Sequence, residues 1–269
     1  MPTRRLDRAV QPDPASGKGM TFENPDTRLE LERIKRVYQA KDASQTYRQQ
    51  YQPFAEVPFG YLLQRLRCLG DLLRGAGIES LAGLDICDLG CGTGSFLGLL
   101  PSFGADPRRL CGVELMADRL AAARLAYSTL RFEPAPGDRI PLADGSCDLV
   151  ICSLVFSSVH AMDLRQRLAD DCARVLRPGG YVFWWDIFHL ADLEPPVTLD
   201  PRILFPGWSI TEQRVAWRPL PSAGMSRRLW RYSVGRIADF FATRPTHLAG
   251  LVGPKIEGFG GCQTAGTPI

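Results

Sequence analysis

Asp88-Leu89-Gly90-Cys91-Gly92-Thr93-Gly94 follows an apolar run with Leu84, Ile86 and Leu89, and precedes Ser95-Phe96-Leu97-Gly98-Leu99-Leu100. The order reads as a strand, a glycine turn and a short helix, a geometry that brings a small ligand against bare backbone. The spacing is G-x-G-x-G; Ser95 stands where dinucleotide sites carry their third glycine. A carboxylate two residues before Gly90 would serve a pyrophosphate poorly. It suits a ligand that carries an ammonium or a hydroxyl. Taken alone, the stretch also reads as a glycine-rich turn without a ligand.

Outward from this turn, strands and helices alternate. Strand 84–89 feeds the turn and a helix over 95–100, which Pro101 stops. Strand 110–114 leads to helix 117–127, and a short strand follows near 130–134. Strand 148–153 is continuously apolar, as a strand buried on both faces should be. Helix 164–176 opens with Asp163 three residues before Gln166, a capping-box spacing with Asp163 as the cap. Arg177-Pro178-Gly179-Gly180 ends that helix before strand 181–187. This alternation predicts an α/β fold built on a parallel sheet with helices on both sides. Upstream, helical spacing covers 27–52 and 59–76; downstream, strands are expected at 210–217 and 247–252, flanking a helix over 224–242. The Arg227, Arg228, Arg231 and Arg236 of that last helix could cap an anion or form a solvated face.

Bulk properties exclude several classes. A chain of 269 residues with 45% apolar content suits one large α/β domain with an appended part. A net charge of +3 argues for neither nucleic acid nor an anionic membrane as partner. Eight scattered cysteines form no C-x-x-C pair, and three histidines show no ligand spacing, so no metal site is expected. Free cysteines inside strands and helices fit a reducing compartment, and cytoplasmic location is expected. The longest apolar stretch, Leu149 to Val159, is about half a membrane span, and the first residues lack a signal-peptide apolar core. Residues 1–26 and 256–269 read as flexible tails.

In an open parallel sheet, ligands sit beyond the carboxyl ends of the strands. Asp88 and the glycines stand at the end of the first strand, and Glu114 ends the second, placed to accept from both hydroxyls of a ribose. Asp138, in the loop after the third, could accept from an exocyclic amine, and Met116 could lie against an adenine ring. Each acid alone reads as readily as a solvated loop carboxylate; three at successive strand ends do not.

Asp88-x-Gly90-x-Gly92-x-Gly94, Glu114, Gly137-Asp138, Pro141 to Val150 and Val175-Leu176-Arg177-Pro178-Gly179-Gly180 together resemble the successive motifs of class I S-adenosylmethionine-dependent methyltransferases. The resemblance spans about residues 84–190 and is greatest to the small-molecule branch. It implies a Rossmann-like seven-stranded, mostly parallel sheet whose last hairpin is reversed. It also implies a domain over 81–255, a helical lid from 27–80 and a cap insertion at 218–245. By the same resemblance S-adenosyl-L-methionine is the cofactor. Asp88, Gly90, Cys91, Gly92 and Gly94 would hold its methionyl end, Glu114 its ribose and Asp138 its adenine amine, with Met116 and Ser153 completing the site. Arg139 departs from the small or apolar residue usual after that aspartate.

For the acceptor side, Ser153 to Ser158 lacks the Asn/Asp-Pro-Pro-Tyr/Phe signature of enzymes acting on planar amide or adenine nitrogens. Asp186, inside Tyr181 to His189, is a carboxylate in an apolar strand, read either as a general base or acceptor anchor, or as a structural hydrogen-bond partner. His160 and His189 are further base candidates, and Tyr47 and Tyr51 resemble lid aromatics. The function expected is methyl transfer to a small-molecule acceptor, with oxygen favoured. An NAD(P)-dependent oxidoreductase, a non-catalytic nucleoside-binding protein and a nucleic-acid methyltransferase are the alternatives.

Overall fold

The computed structural model describes residues 25–50, 56–187, 189–190, 197–215 and 247–255. The expected cap insertion, the helix over 224–242, the C-terminal tail and Tyr51 lie outside these residues, as does the N-terminal tail up to residue 24.

Strands β1 (Ile86–Leu89), β2 (Leu110–Glu114), β3 (Arg131–Pro134), β4 (Cys147–Ser153) and β5 (Leu176–Ile187) pair in parallel. With β8 (Trp208–Val215) and β9 (His247–Lys255) they form a seven-stranded sheet in the order β3-β2-β1-β4-β5-β9-β8. β9 runs antiparallel to both neighbours, which gives the reversed last hairpin expected from the resemblance. The short β6 (His189–Leu190) and β7 (Val197–Thr198) pair separately.

Side chains alternate across the sheet with period two, and the two faces have separate cores. On one face Cys87, Leu89, Val150, Cys152, Val182 and Trp184 pack with Leu164, Leu168 and Cys172 of α5 (Met162–Val175) and with Leu31 and Ile34 of α1 (Pro25–Ala43). On the other, Ile86, Leu149, Ile151, Phe183 and Trp185 meet Leu69, Leu72 and Leu73 of α3 (Glu56–Gly75) and Leu120 of α4 (Ala117–Ala126). A sheet covered on both sides explains why β1 and β2 are buried at every position.

Four local expectations are corrected. The segment expected as helix 95–100 is a 3-10 helix, Leu97–Phe103, which holds Pro101 and ends at Gly104 in a left-handed conformation. α5 begins at Met162 behind Ala161, with no side-chain cap. Asp163 pairs instead with Arg167 one turn on, at 2.9 Å. Finally, Pro178-Gly179-Gly180 is an irregularity inside β5 and not a loop before it. Pairing starts at Leu176 with Cys147 and resumes at Tyr181 with Leu149. The polypeptide expected as one helix over 27–52 is two, α1 and α2 (Gln45–Gln50), separated at Ser44.

The packing near β2 is tight. A Cβ on Gly112 would stand 2.6 Å from Phe132 Cδ1 and 2.7 Å from Cys91 Sγ. Gly112→Ala is therefore expected to cost about 1–3 kcal/mol through overpacking. The urea midpoint should fall with an unchanged slope; an unmoved midpoint would mean that Phe132 yields freely.

Candidate functional site

The carboxyl ends of β1, β2 and β4 lie side by side, and the turn after β1 is folded back between them. Gly90 and Cys91 donate their N–H groups to Val113 O at 2.8 and 3.1 Å. Gly92 donates to Glu114 Oε2 at 2.7 Å, while Glu114 Oε1 accepts from Met116 N–H at 2.8 Å. The acid at the end of β2 therefore ties the glycine turn to the start of α4. Each of its oxygens keeps a second lone pair for a further donor such as a hydroxyl.

At two positions of the turn the backbone admits only glycine. Gly90 has φ +70°, and a Cβ there would lie 3.1 Å from Val155 Cγ2. Gly92 has φ +58° with open space where its Cβ would be. Left-handed backbone of this kind is cheap only for glycine. The open side of Gly92 is where a ligand can approach the main chain.

Asp88 is buried, on the same sheet face as Ile86, Ile151 and Ser153. Burial pushes its carboxyl up to about 7; the Arg65 guanidinium opposes that shift and Glu114 adds to it. Arg65 comes from α3, stacks over the Phe96 ring at 3.7 Å from the centroid, and has a buried Nε with no hydrogen-bond partner. The sequence reading missed it. Its signal was available: Arg65 interrupts the apolar stripe of Leu62, Leu66 and Leu69, where a charge needs a reason to be. Ser153, at the end of β4, likewise has a buried hydroxyl without a partner.

Asp138 and Arg139 occupy the bend after β3; Asp138 is half-buried and Arg139 exposed. Gly137 beside them packs against Leu31 of α1, which brings that helix over this loop. Met116 is buried as the residue preceding α4. Burial pushes the Cys91 thiol up, so it stays neutral.

α1 spans the opening from β4 to α4. Tyr38 Oη bonds to Ser158 Oγ at 2.7 Å and Arg33 Nη2 donates to Ser158 O at 2.6 Å. At its far end Asp42 forms a two-point ion pair with Arg119 of α4, at 2.6 and 2.8 Å. Glu30 accepts from the His160 backbone N–H. The His160 residue itself is exposed, and its ring is pulled below the usual imidazole range, first by burial and then by Arg33. Tyr47 is half-buried in α2, near enough to Arg119 to favour that charge. His189 lies in β6, paired with Thr198 and outside the seven-stranded sheet.

Asp186 lies on the opposite sheet face from Asp88, with Val182 and Trp184. Its Oδ2 accepts from the N–H groups of Phe156 and Ser157 at 2.9 and 3.2 Å, and Oδ1 accepts from its neighbour Ile187 N–H at 2.8 Å. Burial raises it to about 6 against the Ser157 side-chain hydrogen bond and these backbone donors. The group holds the turn after β4 in place. That turn contains Leu154, the non-glycine residue with positive φ among the described residues, at +57°. Such a conformation costs on the order of 1–3 kcal/mol and persists only where neighbours enforce it.

Sheet order 3-2-1-4-5 followed by an inserted antiparallel strand, with a glycine turn and two acids at the switch point, is the fold of the class I S-adenosylmethionine-dependent methyltransferases. Residues 87–184 match the family model for a methyltransferase domain and are such a domain, with S-adenosylmethionine as its cofactor. The chain is 37% identical over 122 residues to the human thiol S-methyltransferase TMT1B, covering 43% of this chain and 47% of the relative. It is 39% identical over 101 residues to a malonyl-acyl-carrier-protein O-methyltransferase of a Marinomonas species, covering 36% of each. The chain thus spans about half or less of these relatives. Among solved structures, a S-adenosylmethionine-dependent methyltransferase of Thermotoga maritima shares the fold. Its TM-score is 0.55 at 15% identity, over 83% of this chain and all of that one.

The residues present fit that cofactor. The unpartnered Ser153 hydroxyl, the open face of Gly92 and a buried carboxylate poised between charged and neutral are groups that a polar, cationic ligand would satisfy. No described helix is long and apolar enough to cross a membrane. Among the described residues no cluster of three metal-ligating side chains occurs.

With its carboxyl pushed up to about 7, Asp88 is held partly protonated near neutral pH, and a ligand ammonium beside it favours the ionised form. Binding of S-adenosylhomocysteine should release a fraction of a proton, read from calorimetric enthalpies in buffers of different ionisation heat. Asp88→Asn should abolish the release and weaken binding more than tenfold. The sign for stability is the reverse of the usual carboxylate. With its folded pKa above 3.8, Asp88 costs the ligand-free protein stability as pH rises from about 4 to 7. Asp88→Asn should therefore raise the ligand-free Tm at pH 8 and not at pH 4.

Proposed function

We propose that the protein methylates a small-molecule acceptor at a nucleophile that ionises without help from the enzyme, a thiol first and a carboxylate oxygen second. The observation that carries this reading is the state of Asp186. Its two oxygens are turned onto three backbone N–H groups, one of them from its neighbour Ile187, so it positions the turn after β4 in place of taking a proton. A free thiol has a pKa near 8.5, and its few per cent of thiolate at neutral pH is already a strong nucleophile. A carboxylate is ionised throughout the physiological range. The relatives named for thiol and for malonyl-carrier methylation support these two acceptor classes. Oxygen, expected from the sequence, is retained as the second.

In this reading the cofactor, when bound, supplies a methyl group already activated on a sulfonium. What remains for the chain is alignment and exclusion of water. Positioning of that kind lowers barriers by about 7–11 kcal/mol. Asp88 and Arg65 would take the charged ends of the methionyl group, Glu114 the ribose, and Asp138 the base. α1 would close the crevice through Tyr38, Arg33 and Asp42. Tyr47 belongs to the same lid, and His160 stands at its rim with its imidazole held below the usual range by burial and Arg33. We assign neither His160 nor His189 a proton-transfer step.

The test is the pH dependence of labelled-methyl transfer to 1-butanethiol and to a malonyl thioester. For the thiol, kcat/KM should rise about tenfold per pH unit until the thiol's own pKa, and the break should move with acceptors of different acidity. For the carboxylate it should be flat above about pH 5. A break fixed near 6 for every acceptor would restore a base role for Asp186.

Asp186→Asn separates the roles directly. As a turn anchor it should lower the Tm, since hydrogen bonds to a charged group are worth about 1.5–3 kcal/mol, and leave the shape of the pH profile unchanged. Loss of a general base would instead cost on the order of 10²–10⁴ in kcat and remove a limb of the profile.

A further inference from the structure

We propose that Leu154 is a specificity-determining residue, an apolar surface held at the mouth of the acceptor site, and that Tyr38 positions it through Ser158. The inference rests on the methyl-transfer reading above and concerns which acceptors that site takes. An exposed leucine alone needs no explanation. A leucine kept in the left-handed region does, because bulky side chains avoid it and the surroundings must impose it.

The surroundings are all visible. Leu154 N–H donates to Trp185 O at 2.8 Å, which ties it to the end of β5. Leu154 O accepts from Ser158 Oγ at 2.9 Å. Since that bond uses the only hydrogen on the Ser158 hydroxyl, Tyr38 must be the donor in its 2.7 Å bond to the same oxygen. Arg33 holds the Ser158 carbonyl, and Asp186 holds the two N–H groups between. The next side chain, Val155, reaches the edge of the glycine turn at Gly90. Leu154 is thus fixed beside the methionyl end of the crevice with 37% of its surface exposed. A polar or small residue there would not need so many restraints. The chain Tyr38–Ser158–Leu154 also joins the lid helix to the acceptor surface, so that docking of α1 sets the shape the acceptor meets.

The chemistry this surface recognises is an aliphatic body next to the nucleophile. Straight-chain alkanethiols from ethanethiol to octanethiol are the probes. In the native protein kcat/KM should climb with chain length, by up to about fourfold per methylene, the ratio for full burial of that group. Leu154→Ala and Leu154→Gly should at least halve the logarithmic slope while S-adenosylhomocysteine affinity stays within twofold. Leu154→Gly also relieves the backbone, so its Tm should equal or exceed the native value, which keeps one variant folded. Tyr38→Phe should flatten the same slope through KM with little change in kcat; a merely structural tyrosine would not alter chain-length preference. An unchanged slope in both Leu154 variants overturns the proposal, and an unchanged slope in Tyr38→Phe overturns the positioning role. Calorimetric binding of 1-octanethiol to the complex with S-adenosylhomocysteine gives a readout free of turnover. Binding that weakens more than fivefold in Leu154→Gly, with no thiol methylated, would sink the thiol reading and leave this one standing. Failure of the native protein to bind octanethiol overturns it.

Discussion

A carboxylate removed from water must find a cation or a set of N–H groups, or it gives up its charge. The end of this sheet is organised around that constraint. Glu114 takes two backbone donors and thereby fixes the glycine turn. Asp186 takes three and fixes the turn after β4. Asp88 faces the distant charge of Arg65, and burial leaves it poised near neutrality. The two satisfied acids act as scaffold, while the third is held ready for a ligand. Without the first two, the glycine turn and the turn after β4 would lose the carboxylates that tie them to the sheet.

The contacts of α1 follow from the same logic on the outer side. α1 adds Leu31 and Ile34 to one core, and its polar side chains reach across the crevice: Tyr38 and Arg33 bond to Ser158, and Asp42 pairs with Arg119. These contacts lie at opposite edges of the crevice.

Much of this was legible in the chain. The alternation of apolar strands and helices, the glycine spacing and the acids at strand ends follow from periodicity and from where ligands sit on parallel sheets. The reversed hairpin came only through resemblance, since nothing in 247–252 states a direction. Local chemistry was harder. Asp163 looked like a helix cap because spacing alone cannot see Arg167 competing for it. Asp186 looked like a base or an anchor equally, because the sequence does not show which backbone groups fold back toward a carboxylate. Arg65 was passed over within a run of leucines, and the strain at Leu154 has no sequence signature at all. Pairings between distant segments, such as Tyr38 with Ser158, arise only once the sheet has set the distances.

The placement of β9 between β5 and β8 bears on how the protein is made. β5 is complete at Ile187, but the strand that covers its outer side ends at Lys255. During translation, at roughly 5–20 residues per second, the Trp184–Trp185 ladder must wait several seconds as an unpaired border. An uncovered border of this kind invites association with other nascent chains, so the ribosome-bound protein is vulnerable in the interval before β9 emerges.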